Sequence, residues 1–270
     1  MAKKLAVLII HGMGSQEIGF SEKMIEELGR RVNGLGKDSN LIAWKPIFWA
    51  DILEPKQVAF LREAQANNDM DYIKLRKFVI SALSDAVAYQ KVDSEKNHTY
   101  DLIHRRVKEK IDELFNVDLA RKSCPLIILA HSLGGHIMSN YIWDIQNSKT
   151  DLTGFSDFEK FEYLAGMITF GCNIPLFTFA YRNVVPIRFP GNKLEAEYVR
   201  NAKWLNYYDP DDVLGYPLKQ INADYNKVVA EDISINVGGA LTSWSPASHS
   251  DYWTDDDFTK SVSQFIRAFI

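Results

Sequence analysis

Pro125-Leu-Ile-Ile-Leu-Ala130-His131-Ser132-Leu133-Gly134-Gly135-His136-Ile-Met-Ser-Asn140 decides how the chain is read. An apolar run of strand length meets a serine among small residues, and a helix-compatible segment follows at once. Strand, tight turn and helix are the context that a G-x-S-x-G nucleophile elbow requires. Such a turn holds the serine at the edge of a sheet, so its neighbours must be small to clear the adjacent backbone. Here Ala130 takes the place of the first glycine and Gly134 holds the second. The plain alternative is that Ser132 merely ends a buried strand, and the rest of the chain has to decide.

With 270 residues, the chain is long enough to bury the core of one α/β domain. A hydrophobic content of 46% and a charged content of 24% are ordinary for a soluble globular enzyme. The net charge of −4 argues against non-specific nucleic-acid binding, which needs a basic face. Cys124 and Cys172 lie far apart and suggest neither a zinc site nor a disulfide framework. Leu5–Ile10 is too short for a signal-peptide core, and no stretch approaches the roughly 20 apolar residues of a transmembrane segment. The expected setting is reduced and cytoplasmic.

Leu5-Ala-Val-Leu-Ile-Ile10 is continuously apolar, as a parallel strand covered on both faces must be. It stops at His11-Gly12-Met13-Gly14. The pattern then predicts a helix over 21–34, with Ser21 as a cap and Met24, Ile25, Leu28 and Val32 on one face. A second strand within 40–50 carries Pro46 near an end or edge. The segment 54–100 breaks the strand–helix alternation with two helices parted at Asn67-Asn68-Asp69. The second is apolar over more than one face and is expected to be covered on two sides. A third helix spans about 100–115. Further strands are expected at Tyr163–Phe170, Trp204–Tyr208 and Asp232–Val237, with a loop at Ile174–Phe189 and a closing helix at Phe258–Ile270. Alternating strands and helices mean a mostly parallel sheet with helices on both faces. Such sheets place their sites at the carboxyl ends of the strands. His11, Ser132, the Asp209–Asp212 cluster and His249 all follow predicted strands there.

A serine hydroxyl attacks only when a nearby base takes its proton. Of six histidines, His98 and His104 read as surface residues, while His131 and His136 are aimed away from Ser132 by turn and helix geometry. His249, in a loop after the last strand, is the best base. It needs an acid to orient it, and Asp209, Asp211 and Asp212 are all candidates. The acids Asp255–Asp257 belong instead to a helix's first turn.

The order Ser132, then Asp209/Asp211/Asp212, then His249 is that of α/β-hydrolases. Together with Ile9-Ile10-His11-Gly12-Met13-Gly14 and Ser248-His249, it makes the chain resemble the α/β-hydrolase superfamily, of lipase/esterase type. The resemblance implies one α/β-hydrolase domain over 1–270, with a sheet of about six strands and the family's two N-terminal strands missing. It implies oxyanion-hole N–H groups from Met13 and Leu133, and favours Asp211 as the acid because the family's acid often precedes a valine by two. The implied activity is hydrolysis of a small-molecule ester through an acyl-enzyme, with no cofactor and no metal. Thioesterase, peptidase, acyltransferase and non-catalytic binding protein are the alternatives. The helical insertion, approximately 54–100, has no counterpart in the resemblance. As a candidate cap, it would join the aromatic loop 177–189 in roofing a substrate pocket through Phe78, Leu83 and Phe177.

Overall fold

The computed structural model describes residues 2–14, 16–90, 98–238 and 248–270, without the side chains of Lys74, Phe78, His98 and Ser248. In chain order, β1 (Leu5–Ile10) leads to α1 (Glu22–Gly34), β2 (Ile42–Ile47), α2 (Glu54–Asn67), α3 (Ile73–Ala88) and α4 (His98–Glu113). Then follow β3 (Leu126–His131), α5 (Leu133–Gln146), β4 (Leu164–Phe170), α6 (Ile174–Thr178) and α7 (Ala196–Val199). The chain closes with β5 (Lys203–Tyr208), α8 (Ala223–Val228), β6 (Val229–Ser234), α9 (Ser248–Asp251) and α10 (Asp256–Ile266).

The six strands among the described residues lie in one parallel sheet, ordered β2-β1-β3-β4-β5-β6. Every residue of β1, β3 and β4 is buried, which is why these segments are apolar throughout rather than alternating. Along β1, Ala6, Leu8 and Ile10 pack into one core with residues of α4 and α5. Leu5, Val7 and Ile9 face a second core with Met24, Leu28 and Val32 of α1 and Val262 and Ile266 of α10. Pro46 sits in β2, an edge strand, where a missing N–H costs least. From β1 the chain runs outward to β2, then returns to place β3 on the other side of β1. The strand order therefore reverses between β1 and β3, the point at which open α/β sheets generally place their sites.

Four expectations need correction. The last strand is Val229–Ser234, three residues earlier than the Ile233/Ile235/Val237 alternation suggests, because its ladder with β5 starts at Trp204↔Val229. The expected loop at Ile174 opens with the short helix α6, whose first turn accommodates Pro175. Ser21 stands at the N-cap of α1 without a side-chain capping bond, whereas the Asp255 carboxylate caps α10 by accepting from the Phe258 N–H. Finally, α3 is not covered on two sides: Leu75, Val79, Leu83 and Val87 are exposed, and among its described side chains only Ser81, Ala82 and Asp85 are buried. No helix among the described residues is long and apolar enough to cross a membrane.

Candidate active site

Ser132 stands between the end of β3 and the start of α5 with φ 53° and ψ −126°. A non-glycine residue in that region is strained, and such strain persists only where the surroundings enforce it. They do so through close packing. A Cβ on Gly12 would lie 2.4 Å from the Ser132 Cβ, and one on Gly134 would lie 2.6 Å from the His11 carbonyl oxygen. The loop after β1 is thus pressed against the serine and against the first turn of α5, and larger residues at either glycine would push the two apart.

His249 Nε2 lies 2.7 Å from Ser132 Oγ. Its Nδ1 faces Asp212, 2.8 Å from Oδ2 and 3.1 Å from Oδ1. With Nδ1–H donating to the carboxylate, Nε2 is free to accept the serine proton. Asp212 also accepts the Leu214 N–H at 3.0 Å and the Tyr252 O–H at 3.1 Å. Burial alone would raise the Asp212 pKa, but His249, Leu214 and Tyr252 outweigh it and hold the carboxyl below its usual value.

The acid beside His249 is therefore Asp212 and not Asp211. Asp211 is exposed, and its backbone N–H donates to Asp209 Oδ1 at 2.7 Å. Asp209 is buried but spends its other oxygen on the Val237 N–H at 2.7 Å, which ties the loop to the chain beyond β6. From the buried Asp209 the turn runs out through Pro210 and Asp211, both exposed, and back in to Asp212. It is closed by the Asp212 N–H donating to the Asp209 carbonyl at 3.1 Å.

Two residues to which the sequence assigns no role complete the surroundings. Tyr252 bridges the loop by donating to Asp212 and accepting the Asp209 N–H at 2.8 Å. His131 is buried, and its Nε2 lies 2.6 Å from the carbonyl oxygen of His249. Burial holds its pKa well below the usual histidine value, so the ring is neutral and Nε2–H is the donor. A tyrosine shortly before a helix cap and a histidine beside the serine carry no distinctive sequence signal. Their roles become visible only once β3, β5 and α9 are brought together.

Met13 is half-buried in the loop that contacts Ser132, and Leu133 is the first residue of α5. His136 is directed away from the serine: it stacks on Phe177 with ring centroids 4.1 Å apart and meets Asn140 at 3.2 Å. His104, expected at the surface, packs against Tyr100 and lies 2.8 Å from the Tyr89 hydroxyl. Phe177 lines a cavity of about 220 Å³ beside α5, together with His136, Asn140, Trp143, Ile174 and Val184. That cavity does not include Ser132, which is itself out of contact with solvent. Leu83 is 62% exposed and does not join Phe177, and the Phe78 side chain lies outside the described residues.

No protein-family model and no curated protein matches the chain. Among solved structures, Est1E from Butyrivibrio proteoclasticus is similar over 98% of this chain and 88% of that chain, at 13% identity and a TM-score of 0.37.

Proposed function

We propose that the chain is a serine hydrolase of the α/β-hydrolase type, acting on carboxylic esters through an acyl-enzyme. The observation that carries this reading is the continuous relay from Asp212 through His249 to a strained Ser132. Ser132 Oγ attacks the ester carbonyl carbon while His249 Nε2 takes its proton. The Asp212 carboxylate keeps the ring in the required tautomer and stabilises the imidazolium that forms. N–H groups of Met13 and Leu133 hold the tetrahedral oxyanion. Collapse expels the alkoxide, which takes the proton back from His249, and water then releases the acid by the same steps.

The same relay serves thioesters and amides, so the test is a substrate panel. Matched p-nitrophenyl esters, thioesters and anilides of several acyl lengths are offered to the parent and to Ser132→Ala. The ester reading expects esters to turn over fastest and Ser132→Ala to retain less than about 1% of parental kcat. Comparable turnover by folded Ser132→Ala would overturn it.

A further inference from the structure

Asp85 belongs to α3 of the helical insertion, is 4% exposed, and has no ion-pair partner among the described residues. Its Oδ2 accepts the Gly14 N–H at 2.9 Å, across 71 positions of sequence. Its Oδ1 accepts from Gln57 Nε2 at 2.6 Å, and the same amide donates to Ser84 Oγ at 2.8 Å. Gln57 comes from α2, so both insertion helices fix the carboxylate.

The contact falls on a particular peptide. His11 Nε2 accepts the Trp49 N–H at 3.0 Å, which leaves the ring proton on Nδ1, 2.8 Å from the Gly12 carbonyl oxygen. Because a trans peptide is planar, holding the Gly12 C=O also sets the direction of the Met13 N–H on the opposite side. The next peptide, from Met13 to Gly14, is held by Asp85. Met13 thus lies between two anchored planes, one fixed by His11 and one by Asp85. Gly14, at φ 93°, adopts a conformation that glycine takes without strain.

We propose that Asp85 is a positioning residue for the oxyanion-binding N–H of Met13, acting through the Gly14 peptide, and that the helical insertion is thereby part of the catalytic apparatus. This rests on the ester-hydrolase reading above. The setting supports it: burial pushes the Asp85 carboxyl up to about 6, so a charged acid here is costly and packing alone would favour an apolar residue. Glu54 adds repulsion, while only Gly14 and Gln57 offset it.

The test compares the parent, Asp85→Leu and Asp85→Asn on p-nitrophenyl acetate and on a small trifluoromethyl ketone, whose adduct with a serine carries an oxyanion. Asp85→Leu keeps the volume and removes the acceptor. Its kcat and its ketone affinity should both fall by about 10- to 100-fold, the scale for disturbing an oxyanion donor, with KM changing by less than about threefold. Asp85→Asn keeps an amide oxygen for the Gly14 N–H and should recover both to within about fivefold of the parent. A merely structural residue would lower the melting temperature and leave kcat and ketone affinity per folded molecule unchanged. That result overturns the proposal, as does a loss confined to KM. If Asp85→Leu does not fold, Gln57→Leu removes one support of the carboxylate, and a parallel fall of about two- to fivefold is expected; no change overturns the proposal. A parent that neither cleaves the ester nor binds the ketone overturns the ester-hydrolase reading, and the inference with it. A competent parent matched by Asp85→Leu overturns the inference alone.

Discussion

Asp211 and Asp212 follow β5 side by side with opposite surroundings, one exposed and one buried against His249. Replacing Asp212 by Asn removes the charge and lets an amide donor face Nδ1, which favours the wrong tautomer. Asp212→Asn should lower kcat by about 10³- to 10⁴-fold, whereas Asp211→Asn should stay within about twofold of the parent. Steady-state rates on one ester check this, and a reversed ranking would reject the assignment. Tyr252→Phe removes the O–H from Asp212 and leaves the Asp209 N–H unpaired. A loss of about 1–3 kcal/mol in unfolding free energy, with a lower kcat, is expected from denaturant melts and kinetics. Asp85 makes a prediction of the other sign. Its carboxyl pKa is raised from 3.8 to about 6, so the folded state holds its proton to higher pH than the unfolded chain. The resulting cost is absent below the unfolded value, grows as pH rises between the two, and is constant above the upper one. Asp85→Asn should therefore gain stability over the parent across that window, reaching at most about 3 kcal/mol. Melts from pH 4 to pH 7 check it, and a difference that is flat or falls with pH would contradict the burial argument.

At the scale of elements, Phe177 is the expected roof residue best placed to touch a ligand, since it lines the cavity beside α5. If the cavity takes part of the substrate, Phe177→Ala should shift acyl-length preference by several-fold, because each methylene contact is worth about 1 kcal/mol. A uniform decline over all lengths, alongside reduced stability, would make Phe177 core only. Much of the framework was legible in the sequence because the sheet's central strands are buried on both faces and must be continuously apolar. The elbow was legible because few residues besides small ones fit beside Ser132. What was not legible depends on packing between distant segments. The acid's register depends on how the Asp209 turn is tied by Tyr252 and Val237, and no local pattern records that. The apolar pattern of α3 likewise records several apolar faces without saying which one is covered. It is the polar Asp85 on the inner face that reaches the loop after β1.

For the molecule as a whole, the strand order reverses between β1 and β3, where the Gly12 loop and Ser132 meet. Four separated stretches converge there: the loop after β1, the β3–α5 elbow, the turn after β5 and α9. The insertion adds a fifth through Asp85. Ser132 is out of contact with solvent in this structure. Small reagents should therefore react faster than bulky ones of equal intrinsic reactivity. The most direct measurement is intact-mass and peptide-mapping analysis after exposure to a small fluorophosphonate. A single adduct on Ser132, lost in His249→Ala and strongly slowed in Asp212→Asn, is the predicted result. An unlabelled parent, or an adduct on any other residue, would contradict the account.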